Sequence, residues 1–127
     1  MARKKSPTLT EAELRLMEVL WDKRHATVAE VTEALPPPPI AYNTVLTTMR
    51  ILEQKGYVSH KEEGRAYLYT PLVDREEAAQ SAVGLLLNRF FGNKSAELAL
   101  RLIESERPTE VELQRLKSLI EQYEDRG

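Results

Sequence analysis

The chain has 127 residues, is 42% hydrophobic and 30% charged, and sets 18 Lys+Arg against 20 Asp+Glu for a net charge of −2. This leaves room for one domain, or for a small domain plus an accessory unit, and gives no basic signature, so any nucleic-acid role must rest on geometry. Zero cysteines exclude disulfides, thiolate metal sites and cysteine catalysis, and two histidines, His25 and His60, leave little for any other metal site.

Residues 1–8, MARKKSPT, form a basic arm carrying Arg3, Lys4 and Lys5. No apolar segment follows it, so no signal peptide is expected, and the longest apolar run, around Val83–Leu87, is far too short to span a bilayer. A cytoplasmic protein is the expectation. The arm itself reads as a solubilising tail, with DNA contact as the alternative.

Thr10-x-x-Glu13 is a capping box: the hydroxyl takes an orphan backbone N–H and the carboxylate returns the favour. It predicts a helix from about Glu11 to Asp22, with Leu14, Met17 and Trp21 on one face, Leu16 and Leu20 beside it, and Trp21 in the core. A second capping box, Thr27-x-x-Glu30, opens a helix whose Val28, Val31 and Leu35 point inward. The prolines at 36–39 must end it, because proline removes a donor and clashes with the preceding turn.

The next stretch, Ala41–Gly56, predicts a helix with two different faces. At about 100° per residue, Val45, Met49 and Leu52 fall within about 60° of one another and want a core. On the opposite side Asn43, Thr47, Arg50 and Gln54 cluster within about 60°. A face made only for solubility would carry more Glu and Lys, whereas Asn, Thr, Arg and Gln can read base edges in a DNA groove. Thr48 lies near the core edge and reads as structural, and Gly56 suits a position of positive φ at the helix end.

Tyr57–Lys61 and Ala66–Thr70 flank a Gly-containing turn and predict a β-hairpin with Lys61 and Arg65 near its tip. Three helices followed by a hairpin, the third helix two-faced, is the outline of a winged helix-turn-helix whose third helix enters the major groove.

Around Pro71–Asp74 the pattern turns purely helical. Asp74-x-x-Glu77 opens a helix reaching about Phe91, Ser95 begins a second with Leu98, Leu102 and Ile103, and Thr109-x-x-Glu112 caps a third. In this last helix Leu113, Leu116, Ile120 and Tyr123 repeat at a/d spacing. Three short helices cannot bury that much apolar surface alone, so a symmetric dimer is expected, with Leu86, Phe90 and Leu102 joining the a/d stripe in its interface. The fold class expected is mainly α with a small β-hairpin. Its organisation is an arm over 1–8, a winged-helix DNA-binding domain over 9–72 and a helical dimerisation domain over 73–127. The two main parts differ in charge, with 10 Lys+Arg against 9 Asp+Glu in residues 1–72 and 8 against 11 in residues 73–127.

The opening run LTEAELRLMEVLW (Leu9–Trp21), the run YNTVLTTMRILEQKGYV (Tyr42–Val58) and the hairpin run GRAYLYTPLV (Gly64–Val73) together resemble the penicillinase-repressor family of the BlaI/MecI/CopY type, over about residues 8–125. The resemblance implies a homodimeric winged-helix repressor that binds a palindromic operator of β-lactam-resistance or related genes. It carries over base-reading positions to Asn43, Thr44 and Thr47. Leu46 stands where some members have arginine, which leaves contact with a thymine methyl. The best-known members are inactivated by cleavage at an Asn–Phe bond. This chain has no such pair, and the junction aligns with Arg101–Leu102, so an inactivating protease would need another specificity. The C-terminal cysteines of the copper-sensing branch are absent.

The candidate DNA-binding residues are therefore Tyr42, Asn43, Thr44, Leu46, Thr47, Arg50, Lys61 and Arg65. Arg50 suits a phosphate, since it sits a turn or more from the helix start, and Lys61 and Arg65 have an alternative role as edge-strand charges that block aggregation. No cofactor or metal is expected. No nucleophile–base pair or glycine-rich phosphate loop appears, so no enzyme is expected either. Two rival readings remain at this point: a winged-helix module that binds a protein partner instead of DNA, and a ligand-sensing winged-helix regulator.

Overall fold

The computed structural model describes residues 8–126. Along the chain run α1 (Glu11–Lys23), β1 (Ala26–Thr27), α2 (Val28–Ala34), α3 (Tyr42–Lys55), β2 (Val58–Glu63), β3 (Ala66–Pro71), α4 (Arg75–Phe91), α5 (Ser95–Ser105) and α6 (Glu110–Asp125). Two compact units emerge, the first ending at Leu85 and the second beginning at Leu86. Arg3, Lys4 and Lys5 of the basic arm lie outside the described residues.

In the first unit the capping boxes set the helix starts. Glu13 N donates to Thr10 Oγ1 at 3.1 Å and Thr10 N to Glu13 Oε1 at 2.9 Å, and Thr27 and Glu30 repeat the exchange at 3.2 and 2.9 Å. Leu16, Met17 and Leu20 of α1, Val31 of α2, and Val45, Met49 and Leu52 of α3 are all fully buried. Burying a large aliphatic side chain stabilises by about 1.5–3 kcal/mol, so this cluster is what holds the three helices together.

Two expectations for α1 are corrected. Leu14 is exposed and Trp21 only half-buried. The buried stripe runs round the helix from Val19 through Leu16 and Leu20 to Met17, and Trp21 and Leu14 lie about 40° and 60° beyond Met17, at the rim. Trp21 instead fastens the start of α4. Its indole Nε1 donates to the Val73 carbonyl at 2.9 Å, and the Arg75 guanidinium lies 5.1 Å from the ring centroid.

The hairpin is part of a three-stranded antiparallel sheet of order β1-β3-β2. β1 pairs Ala26 with Tyr69 and Thr27 with Leu68. Two residues are too few for an alternating pattern, so the sequence does not announce this strand. β2 and β3 pair from Val58↔Pro71 to Glu63↔Ala66, leaving Gly64-Arg65 as a two-residue turn. Gly64 has φ +63°, the left-handed conformation such turns require. Lys61 pairs with Leu68, short of the tip where it was expected.

The second unit contains the end of α4 with α5 and α6, the last opened by a capping box between Thr109 and Glu112. Among its described residues Leu98 is the one buried hydrophobic. Phe90 is 76% exposed, Tyr123 65% and Ile120 56%. Leu86, Leu102 and Leu113 are also exposed, and Leu116 is half-buried.

Candidate nucleic-acid interface

The segment between α2 and α3 is rich in proline and cannot continue a helix. It is held from outside: Nη2 of Arg15, on α1, donates to the carbonyls of Pro36 at 2.5 Å and Pro38 at 2.6 Å. A cation on the first helix thus fixes the loop that delivers α3. Ala41 is the N-cap of α3 and offers no side-chain hydrogen bond there. At the other end Gly56 takes φ 91° and ψ 13°, and the amides of Gly56 and Tyr57 close the helix on Glu53 and Leu52.

Between these ends α3 divides its residues as its pattern requires. Val45, Met49 and Leu52 are buried, whereas Tyr42, Asn43, Thr44, Thr47, Arg50 and Gln54 are exposed. Leu46 is half-buried and packs against the core. The Thr48 hydroxyl donates to the Thr44 carbonyl at 2.7 Å, so it is turned back into its own helix.

Beside the first turn of α3, the wing and the start of α2 enclose a groove of about 540 Å³. Tyr42, Leu46, Arg65 and Tyr67 line it, together with Glu62 and the residues 27–29. The fold therefore brings three of the sequence-selected residues, Tyr42, Leu46 and Arg65, to one concave surface, with exposed Asn43, Thr44 and Thr47 on the same helix. Lys61 is not among the lining residues. Side chains alternate along a strand, so it leaves β2 on the face opposite Glu62.

Two features of the site escape the sequence pattern. The first is the Arg15 grip on the proline loop, made across 21 and 23 residues with no local spacing to reveal it. The second is His60, whose Nδ1 lies 2.7 and 2.9 Å from the two carboxylate oxygens of Glu53 on α3. The His60 ring stacks on Tyr67 with centroids 4.2 Å apart and meets Tyr69 at 5.4 Å. Tyr69 is buried, and that burial pushes its phenol up from its ordinary range.

No helix among the described residues is long and apolar enough to cross a membrane, and none of their His, Asp and Glu side chains gather in threes that could hold a metal ion.

The sequence profile of the penicillinase repressor family matches residues 9–122. The penicillinase repressor of Bacillus licheniformis is 28% identical over 124 residues, covering 97% of each chain. The methicillin resistance regulatory protein MecI of Staphylococcus aureus (strain N315) is 20% identical over 117 residues, 91% of this chain and 95% of that one. The solution structure of the DNA-binding domain of the repressor BlaI is similar with a TM-score of 0.52 and 33% identity, over 59% of this chain and 93% of that one. The winged-helix arrangement agrees with a family profile that spans nearly the whole length of the chain, and the chain belongs to the penicillinase repressor family.

Proposed function

We propose that the chain is a homodimeric DNA-binding transcriptional repressor that reads a palindromic operator by seating α3 in the major groove. The observation that carries this reading is the division of α3 into a buried face and an exposed face of short hydrogen-bonding side chains, beside a wing that brings Arg65 toward the same surface. The likeness to a solved repressor DNA-binding domain supports it.

Asn43, Thr44 and Thr47 are the base readers in this account, and Leu46 offers its half-buried edge to a thymine methyl. Arg50 and Arg65 engage phosphates, with Tyr42 on the lining of the groove. Lys61 contributes charge at longer range. The exposed Leu86, Phe90, Leu102, Leu113, Ile120 and Tyr123 and the half-buried Leu116 meet their counterparts across a two-fold axis, and residues 73–127 serve as the dimerisation part behind a DNA-binding part at 9–72. The near-neutral charge of residues 1–72 gives one winged helix a weak hold on DNA, so affinity leans on two helices binding two half-sites. A repressor of this kind works beside the chromosome, in the cytoplasm, on genes related to β-lactam resistance. Release by a protease would require cleavage at a bond other than Asn–Phe.

The test is selection of bound fragments from a genomic library, followed by a salt titration on the winning duplex and on a random one. The expected result is a palindromic consensus, with log affinity falling linearly in log salt by about 0.9 per phosphate engaged. Recovery of no enriched sequence, with a flat response to salt, would instead assign the exposed face of α3 to a protein partner.

A further inference from the structure

His60 takes no part in the reading above, yet it touches both elements of the site. It stands on β2, where its Nδ1 faces both carboxylate oxygens of Glu53 on α3. A carboxylate only accepts, so this contact places a proton on Nδ1. The ring's face lies on Tyr67, at an interplanar angle of 27°. Tyr67 pairs with Glu62 in the ribbon and lines the groove with Arg65. A continuous series of touching groups therefore runs from α3 through Glu53 and His60 to Tyr67, two residues along β3 from Arg65 of the turn.

The wing needs such an anchor. β1 reaches only Leu68 and Tyr69 of β3, so from Tyr67 to the turn and back to Glu62 the ribbon has two strands and no third. A two-stranded ribbon in water has little hold on its own direction. We propose that His60 is a positioning residue: gripped by Glu53 and stacked on Tyr67, it fixes the wing's angle to α3 so that Arg65 meets the DNA backbone when the helix is seated. This inference rests on the DNA-binding reading of the site.

The experiment is a double-mutant cycle on a duplex selected by the native protein from a random library, each variant titrated with salt. In the native background Arg65→Ala is expected to weaken binding several-fold and to lower the salt slope by about one. In the His60→Ala and Glu53→Ala backgrounds, Arg65→Ala is expected to change nothing further. Glu53→Gln keeps an oxygen that accepts from Nδ1–H and is expected to restore the Arg65 effect. Glu53 and His60 are both partly exposed, so the two Glu53 variants carry the test even if His60→Ala does not fold. An equal loss from Arg65→Ala in every background overturns the positioning role. No loss in the native background overturns it too, by removing the wing contact, while the seating of α3 survives. Failure of the native protein to select any duplex overturns the DNA-binding reading itself.

Discussion

Nζ of Lys55 lies 2.7 Å from Oε1 of Glu13, although 42 residues separate them along the chain. The contact ties the last turn of α3 to the first turn of α1, and the same Glu13 oxygen accepts the Thr10 amide of the capping box. The lysine also suits its place, because a cation in the last turn complements the helix dipole. Burial works against the charge on Glu13, but the Lys55 hydrogen bond, the Thr10 backbone and Lys55's positive charge outweigh it and hold the carboxyl below its ordinary range.

A carboxyl whose folded value is depressed stabilises the fold above its unfolded value, about 4.3, and loses that contribution as pH falls through the folded value. Thermal melts taken from about pH 6 down to about pH 3 are expected to show a falling Tm, with a shallower fall in Glu13→Gln. Lys55→Met removes the charged partner of a nearly buried carboxylate and is expected to cost about 1–3 kcal/mol at neutral pH, read from denaturant midpoints.

Thr47 is exposed at the centre of the polar face of α3. Thr47→Ala is expected to weaken binding to the selected duplex by about 1 kcal/mol and to leave binding to random DNA unchanged, in parallel gel-shift titrations. Its melting curve should match the native one within about 0.5 kcal/mol. Equal losses on both duplexes would reassign Thr47 to a phosphate.

Ile120 is 56% exposed and Leu116 half-buried on the a/d stripe of α6. A glutamate at either position places a charge in the proposed interface with no partner to meet it. Light scattering is expected to report half the native mass. The variant should keep its affinity for a single half-site while losing the gain that the full palindrome gives. A native mass for both variants would move the interface elsewhere.

Local signals carried most of the fold. Three capping boxes, at Thr10, Thr27 and Thr109, stand where their spacing places them, and Gly56 adopts the left-handed conformation its position at the end of α3 asks for. The periodicity of α3 picked out Val45, Met49 and Leu52, all fully buried. On α1 the same reasoning went wrong at Leu14, because so many apolar residues fit more than one stripe and only the packing partners choose between them. β1 was illegible because two residues have no period. The exposed placement of Asn43, Thr44 and Thr47 follows from helical geometry. The grip of Arg15 on Pro36 and Pro38, and of His60 on Glu53, depends on tertiary approach that no spacing encodes.

The clean division of α3 has an evolutionary corollary. Substitutions at Asn43, Thr47, Arg50 or Gln54 alter what the protein presents to a partner while leaving Val45, Met49 and Leu52 in place. A lineage can therefore change this exposed face without passing through unfolded intermediates. Leu46 is the exception. It touches the core and the groove at once, so a change there bears on fold and surface together.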